Sequence, residues 1–386
     1  MTPPTPGESP PPPPCPRGRP EVETLTAYSA PLEGRRGLLR LDFNENTVGP
    51  SPRVVAAVRA IPADHYAIYP EYDGLREAVV ANLSDRTGGR PGLAQPLSPA
   101  HIGLFNGVDA AIHAVFQAYG APGDRLLTTS PTFGYYTPCA RMQGMAIEAI
   151  PYSLPDFGFP LQATRAALGG AGTGRAAPRI LLICNPNNPT GTRLAPERIL
   201  ELAAAAPDTL VVVDELYEAF TGDSVLPIAD FAASPNLLVL RSLAKTAGLA
   251  GLRIGFAIGT PALVERVGRV CGPYDINSFA VTAAHAALAD QAYVDGYVAE
   301  VLGARDRLVA QLRQAGVRHH AAGGNYLLLW PRRPAAAVEA DLRGAGILVR
   351  SMAGKPLIDG SLRVSLGTGA QMERFWEAYR RIDGLA

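Results

Sequence analysis

Lys245 and Arg253 lie eight positions apart in "SLAKTAGLAGLRIGF" (242–256), a run otherwise made of small and apolar residues apart from its polar Ser242 and Thr246. Two further stretches end apolar runs in polar groups: Asp214 and Tyr217 in "VVVDELY", and Asn188 in "NPNNPTG". Each has a structural explanation when taken alone. Asp214 could cap a helix, Tyr217 could be core, Asn188 could hold a turn and Arg253 could close an ion pair. Taken together they are the set a pyridoxal phosphate site requires: a lysine for a Schiff base, an arginine for a phosphate, and a carboxylate from a neighbouring strand. Nearby cations and desolvation keep such a lysine neutral and nucleophilic. The carboxylate keeps the pyridinium nitrogen protonated, so that the ring draws electrons.

These residues need elements to hold them. From residue 101 the chain alternates helical patterns with short apolar runs, "HIGLFNG", "DRLLTTSP", "MAIEAIPY", "RILLICNP", "TLVVVDE", "NLLVLRS" and "RIGFAIG". Continuous apolar runs predict strands buried on both faces, and the intervening helices predict parallel connections. Open parallel sheets bind ligands beyond the carboxyl ends of their strands, where the polar residues above fall. Ile112, Val115, Phe116 and Tyr119 recur at helical spacing and read as core. "GGAGTGRAA" (169–177) lacks GxGxxG spacing and precedes a strand, so it reads as a surface linker. After about residue 275 a helical stretch leads to "GGNYLLLW", "GILVRS" and "SLRVSLG", the strands of a smaller α+β lobe.

Composition narrows the partners. The chain has 386 residues, with 35 Lys plus Arg balancing 35 Asp plus Glu, so nothing draws it to nucleic acid or an anionic membrane and the expected partner is a small molecule. Its four cysteines, Cys15, Cys139, Cys184 and Cys271, lack metal-ligand or disulfide spacing and read as reduced thiols. No GxxxxGK or HExxH occurs, and no apolar run is long enough to span a bilayer. A soluble, cytoplasmic protein is expected. Prolines dominate residues 2–20, which predicts an extended tail.

From about residue 24 onward the chain resembles fold-type I, class I/II aminotransferases, most closely the histidinol-phosphate aminotransferase branch. The likeness rests on the order and spacing of "LDFNENTVGPSP", "YPEYDGLREAV", "NPNNPTG", "DELYEAF", "SLAKTAGLAGLRIGF", "PYDIN", "GNYLLL" and "LRVSLGT". It implies a large domain with a mostly parallel sheet sandwiched by helices (61–275). A small α+β domain would be built from the segment 24–60 and from 276–386, with residues 1–23 a disordered tail. It further implies pyridoxal 5'-phosphate on Lys245, Arg253 and Ser242 on the phosphate, Asp214 at the pyridine nitrogen, and Tyr217 and Asn188 at the phenolic oxygen. Gly107, Val108 and Asp109 would line the phosphate through backbone amides, at a strand-to-helix turn whose dipole suits an anion. Phe133 would stack on the ring, with a core phenylalanine as the alternative. Tyr69 would reach the phosphate of a neighbouring subunit, which makes the active unit a homodimer.

On the substrate side the resemblance places Arg363 on the α-carboxylate, a task for a planar bidentate donor. Arg350 would meet the distal phosphate, with a surface arginine as the alternative. Tyr28, Asn325 and Asn188 would also face the substrate. The pattern departs from the family at Val48, where relatives carry an aromatic, at Val108 and Ala110 in place of "SDE", and at Ala244 in place of a serine. These changes leave the cofactor contacts standing and leave open whether histidinol phosphate or another keto or amino compound is the substrate. Glutamate is the expected donor, with Lys245 as general base and acid in a ping-pong exchange. A decarboxylase or oxidase on the same scaffold is the alternative; Arg363 favours transamination. A non-catalytic sensor would lose the lysine and gain a helix-turn-helix, and neither holds here.

Overall fold

The computed structural model describes residues 16–26, 33–169 and 176–385. Its strands, in chain order, are β1 (Leu39–Arg40), β2 (Ile102–Phe105), β3 (Arg125–Ser130), β4 (Ala146–Pro151), β5 (Ile180–Cys184), β6 (Leu210–Asp214) and β7 (Leu237–Ser242). There follow β8 (Gly255–Gly259), β9 (Arg318–His320), β10 (Tyr326–Trp330), β11 (Ile347–Leu348), β12 (Arg350–Ser351) and β13 (Leu362–Ser365). Seven form one sheet in the order β2-β8-β7-β6-β5-β3-β4. All seven apolar runs between residues 101 and 259 appear as its strands.

Every residue of β5 and β6 is buried, because helices cover both sheet faces. Leu181, Ile183, Val211, Val213 and Val239 pack into one face's core, and Leu182, Val212, Leu238 and Leu240 into the other's. Each such side chain contributes about 1.5–3 kcal/mol on burial. One strand breaks the parallel pattern: β8 runs antiparallel to both β7 and β2. The connection 243–254 contains no crossover helix, only a 3-10 turn at Ala250–Leu252, so the chain doubles back and the Lys245 loop stays beside the carboxyl end of β6.

The second lobe has a four-stranded antiparallel sheet, β12-β13-β10-β9, while β1 pairs in parallel with β11. The long helix Gln291–Gln314 buries Val294, Tyr297, Val301, Ala304, Leu308 and Leu312 along one stripe. All but Val294 belong to the small-lobe core, which also takes in Tyr217 and Phe220 from beyond β6. The strands β1 and β9, too short for a periodic signal, go beyond the sequence reading.

At the chain's start, order begins earlier than expected. Pro20–Glu23 is a short helix, with Pro20 at its first position where no amide donor is needed, and Arg19 donates to Met142 O at 2.9 Å. The tail reading therefore fails at its carboxyl end; residues 1–15 lie outside the described residues, as do 170–175 of the expected linker.

Candidate active site

Adjacent strands in register set the site. Cys184 pairs with Asp214 and Asp214 with Leu240, so β5 and β6 end level, β7 runs two residues further, and together they deliver Asn188, Asp214 and the Lys245 loop to one place. Asp214 is buried. Tyr136 Oη donates to its Oδ2 at 2.7 Å and the Leu216 amide to its Oδ1 at 3.2 Å. Burial pushes its carboxyl up to about 6 against those two donors and the nearby Lys245. The hydrogen bond from neutral Tyr136 to a charged acceptor is worth about 1.5–3 kcal/mol. Tyr136, absent from the sequence reading, also meets the buried Cys184 thiol, and Phe133 packs edge-on against its ring at 5.4 Å.

Lys245 is partly buried and donates to Phe43 O at 3.0 Å. Desolvation pushes its ammonium down to about 8, helped by Arg363 and Arg253 and opposed by Glu45 and Asp109. Within its loop, Ser242 Oγ donates to Ile254 O and accepts from the Ala244 amide, both at 3.0 Å. The hydroxyl expected on a phosphate is thus engaged in closing the loop, and must leave Ile254 to serve an anion.

The helix Val108–Tyr119 starts from Gly107 at φ 80°, with Asp109 in its first turn and Ile112, Val115 and Phe116 in the core. A Cβ on Gly107 would stand 2.5 Å from Arg253 NH2, and one on Gly255 would stand 2.6 Å from the Val108 amide nitrogen. Only glycine allows these approaches. Arg253, itself at φ 58°, donates to Asp109 Oδ2 at 2.7 Å, an ion pair that adds a side-chain role to the expected backbone one.

Tyr217 is buried, and its hydroxyl accepts from Asn44 Nδ2 at 3.2 Å and Asn188 Nδ2 at 3.4 Å. Burial raises its phenol well above the ordinary range. Arg363, also buried, donates through NH1 to Asn188 Oδ1 at 2.8 Å and through NH2 to Asp42 O. Its register partner on β12 is Arg350, whose guanidinium lies over the Phe43 ring at 5.4 Å. Asn325 Nδ2 donates to Asn44 O at 3.0 Å, while its buried Oδ1 has no partner among the described residues.

Lys245, Tyr217, Asn188, Arg363, Arg350 and Asn325 are therefore joined directly or through the segment 42–46, Asp214 lies close enough to feel the Lys245 charge, and Gly107, Val108, Asp109 and Arg253 form a second cluster beside them. That segment gained no individual roles from sequence; its "NEN" pattern was the available signal. Of the remaining expected residues, one stands apart. Tyr69 is 72% exposed and stacks on Tyr274 at 4.2 Å, and Tyr28 lies outside the described residues. Val48 is 56% exposed, with its amide and that of Gly49 held by Asn46 Oδ1.

Comparison with known proteins agrees in length and fold. The family described as aminotransferase class I and II matches residues 36–378. Histidinol-phosphate aminotransferase 1 of Bordetella parapertussis is 34% identical over 371 residues, covering 94% of this chain and 98% of the relative. Histidinol-phosphate aminotransferase 1 of Bradyrhizobium diazoefficiens is 33% identical over 376 residues, covering 94% and 98%. Among solved structures, the histidinol-phosphate aminotransferase of Sinorhizobium meliloti in complex with pyridoxal-5'-phosphate superposes with a TM-score of 0.82 at 25% identity, covering 95% of this chain and 98% of the other. Aspartate aminotransferase of Thermotoga maritima, at 23% identity and a TM-score of 0.74 with 90% and 91% coverage, shares the fold. The chain belongs to the class I and II aminotransferase family.

Proposed function

We propose that this protein is a pyridoxal-phosphate-dependent aminotransferase that moves an amino group from glutamate to an oxo compound of the histidinol-phosphate type, the acceptor carrying a distal anion. The observation that carries this reading is the convergence of a partly buried lysine, a buried carboxylate and two register-paired arginines around the ends of β5, β6 and β7.

The residues fit the cofactor. The glycine-lined turn at Gly107, with Arg253 and the first-turn amides of Val108 and Asp109, suits a phosphate. Ser242 joins them once released from Ile254. Lys245 is the covalent anchor and Asp214 the partner of a protonated ring nitrogen. Phe133 would supply a stacking surface for the ring, and Tyr217 with Asn188 would hydrogen-bond its phenolic oxygen. When bound, the cofactor supplies an electron sink that makes a substrate α-proton removable. Lys245 Nζ would take that proton and later return it, acting first as base and then as acid. Arg363 holds the α-carboxylate in its bidentate fork, with Asn188 and Asn325 alongside. Arg350, one strand over, meets the distal anion. Tyr28 is a further substrate-side residue.

The active unit is a homodimer. Tyr66, Ile68, Tyr69 and Tyr274 are exposed apolar or aromatic residues that a second copy would cover, bringing Tyr69 to the neighbouring phosphate. The free thiols of Cys139, Cys184 and Cys271 suit a reducing cytoplasm.

The test is the visible spectrum. Purified protein incubated with pyridoxal phosphate gains an absorption band that shifts on adding glutamate and is missing in Lys245→Ala. A colourless wild type would refute the reading. Against a panel of oxo acceptors, Arg350→Ala lowers kcat/KM for anionic ones by about 10–100-fold while glutamate turnover changes by less than about twofold. Equal losses would remove the distal-anion role.

A further inference from the structure

Arg35, to which the reaction gives no task, pairs with two carboxylates at once. Its buried guanidinium donates from Nε and NH2 to the two oxygens of Asp42, at 3.0 and 2.7 Å. From NH1 and NH2 it also donates to the two oxygens of Glu45, at 3.1 and 3.0 Å. Its plane covers the Phe43 ring at 4.2 Å, and Arg40 adds a contact to Glu45 at 3.2 Å. One planar cation thus holds residues 42, 43 and 45 at once, a geometry lysine cannot reproduce.

The held segment carries much of the site. Asp42 O accepts from Arg363, Phe43 O from Lys245 and Asn44 O from Asn325. Asn44 Nδ2 reaches Tyr217. Three consecutive carbonyls therefore receive three site residues brought from distant parts of the chain. Strand pairing ends before this segment: β1 stops at Arg40, and beyond it the Leu41 amide donates to Leu348 O at 2.8 Å while Leu41 O accepts from the Ser365 amide at 2.9 Å. Asn44 is pinned in the middle by Ser365 and sits at φ 56°, an unfavourable conformation that its surroundings must enforce. Arg35 holds Asp42 and Glu45 on either side of it, while Asn46 Nδ2 donates to Thr246 O at 2.8 Å at the far end. The cluster of Arg35, Arg40, Asp42 and Glu45 carries no net charge, so a charge-balanced variant separates its geometric hold from the pull of Glu45 on Lys245.

We propose that Arg35 is a positioning residue that buckles the strap 42–46, so that Phe43 O meets the Lys245 amine and Asp42 O meets Arg363. The proposal rests on Lys245 as the acid–base amine. Its role is to keep the freed amine from wandering during proton transfer, since misplacement of about 1 Å can cost on the order of 100-fold in rate.

The experiment has two arms. Amide hydrogen exchange on cofactor-free protein follows the peptide containing 42–46, and single-turnover kinetics on cofactor-loaded protein follow the glutamate half-reaction. Arg35→Gln and the charge-balanced Arg35→Gln/Glu45→Gln both raise strap exchange by about tenfold or more. Both lower the half-reaction rate by about 10–100-fold, with cofactor content unchanged. Arg35→Lys, measured in parallel as the mildest variant, recovers part of both. Wild-type exchange and rate in Arg35→Gln would overturn the proposal, as would full restoration in the double variant, which would make the effect one of charge. A wild type that binds no cofactor would refute the aminotransferase reading and leave the exchange result to decide the strap.

Discussion

Burial, with Arg363 and Arg253 nearby, pushes the Lys245 ammonium down to about 8, so neutral amine is available near physiological pH. Because the folded value is lowered, the neutral fraction grows as pH rises through 8 and is nearly complete about one unit above it. Covalent capture of pyridoxal phosphate by cofactor-free protein, followed by absorbance, should therefore rise with a midpoint near 8 and level off. An ordinary lysine would still be gaining at pH 10. Arg363→Gln should move the midpoint upward by removing a cation. At this scale the charged candidates were legible because ionisable groups in apolar runs need a reason. Tyr136 and Arg35 were not: a tyrosine in "FGYY" and an arginine in "GRRG" look ordinary until folding sets them against Asp214 and against Asp42 with Glu45.

Adjacent strands carry a second, structural pair beside the chemistry. Glu215, next to Asp214, is buried and accepts from Arg241 Nε at 2.9 Å, Ser224 Oγ at 2.9 Å and the Val225 amide at 2.8 Å. Arg241 precedes Ser242 at the end of β7 and also meets Glu218, so the pair clamps β6 to the lysine loop. Burial already pushes Glu215 up to about 7, with Arg241 opposing. Arg241→Met should destabilise the protein by about 2–4 kcal/mol at pH 8 in urea unfolding. The loss should shrink at pH 6, because a carboxyl whose folded pKa is raised further keeps its proton there and loses stability only as pH climbs. The strands themselves were legible from continuous apolar runs. The reversal of β8 was not, since its composition matches that of its parallel neighbours and only the missing crossover helix sets its direction.

For the whole molecule, the exposed Tyr69 makes a prediction that one subunit cannot satisfy. On the proposed homodimer, mixing unfolded-and-refolded Lys245→Ala with Tyr69→Phe should restore activity to roughly a quarter of wild type, because half the dimers would be hybrids with one intact site. No recovery above the separate variants would place Tyr69 in its own subunit's site. The family resemblance alone added Arg363, whereas the α/β class, the order of the large-sheet strands along the chain and the candidates Lys245, Asp214, Tyr217, Asn188 and Arg253 were all present in the sequence by itself. These rest on local periodicity and on isolated polar groups in apolar runs, both readable within a short window. Only the tertiary structure decided that residues 42–46 underlie the site, that Tyr136 holds Asp214, that Asp109 pairs with Arg253 and that Ser242 closes its own loop. For all but the Ser242 loop the physical reason is contact order. Phe43 and Lys245 are separated by 202 positions, and Asn44 and Ser365 by 321. No local pattern encodes such pairs; they arise when two lobes, each burying its own core, bring distant loops to one sheet edge.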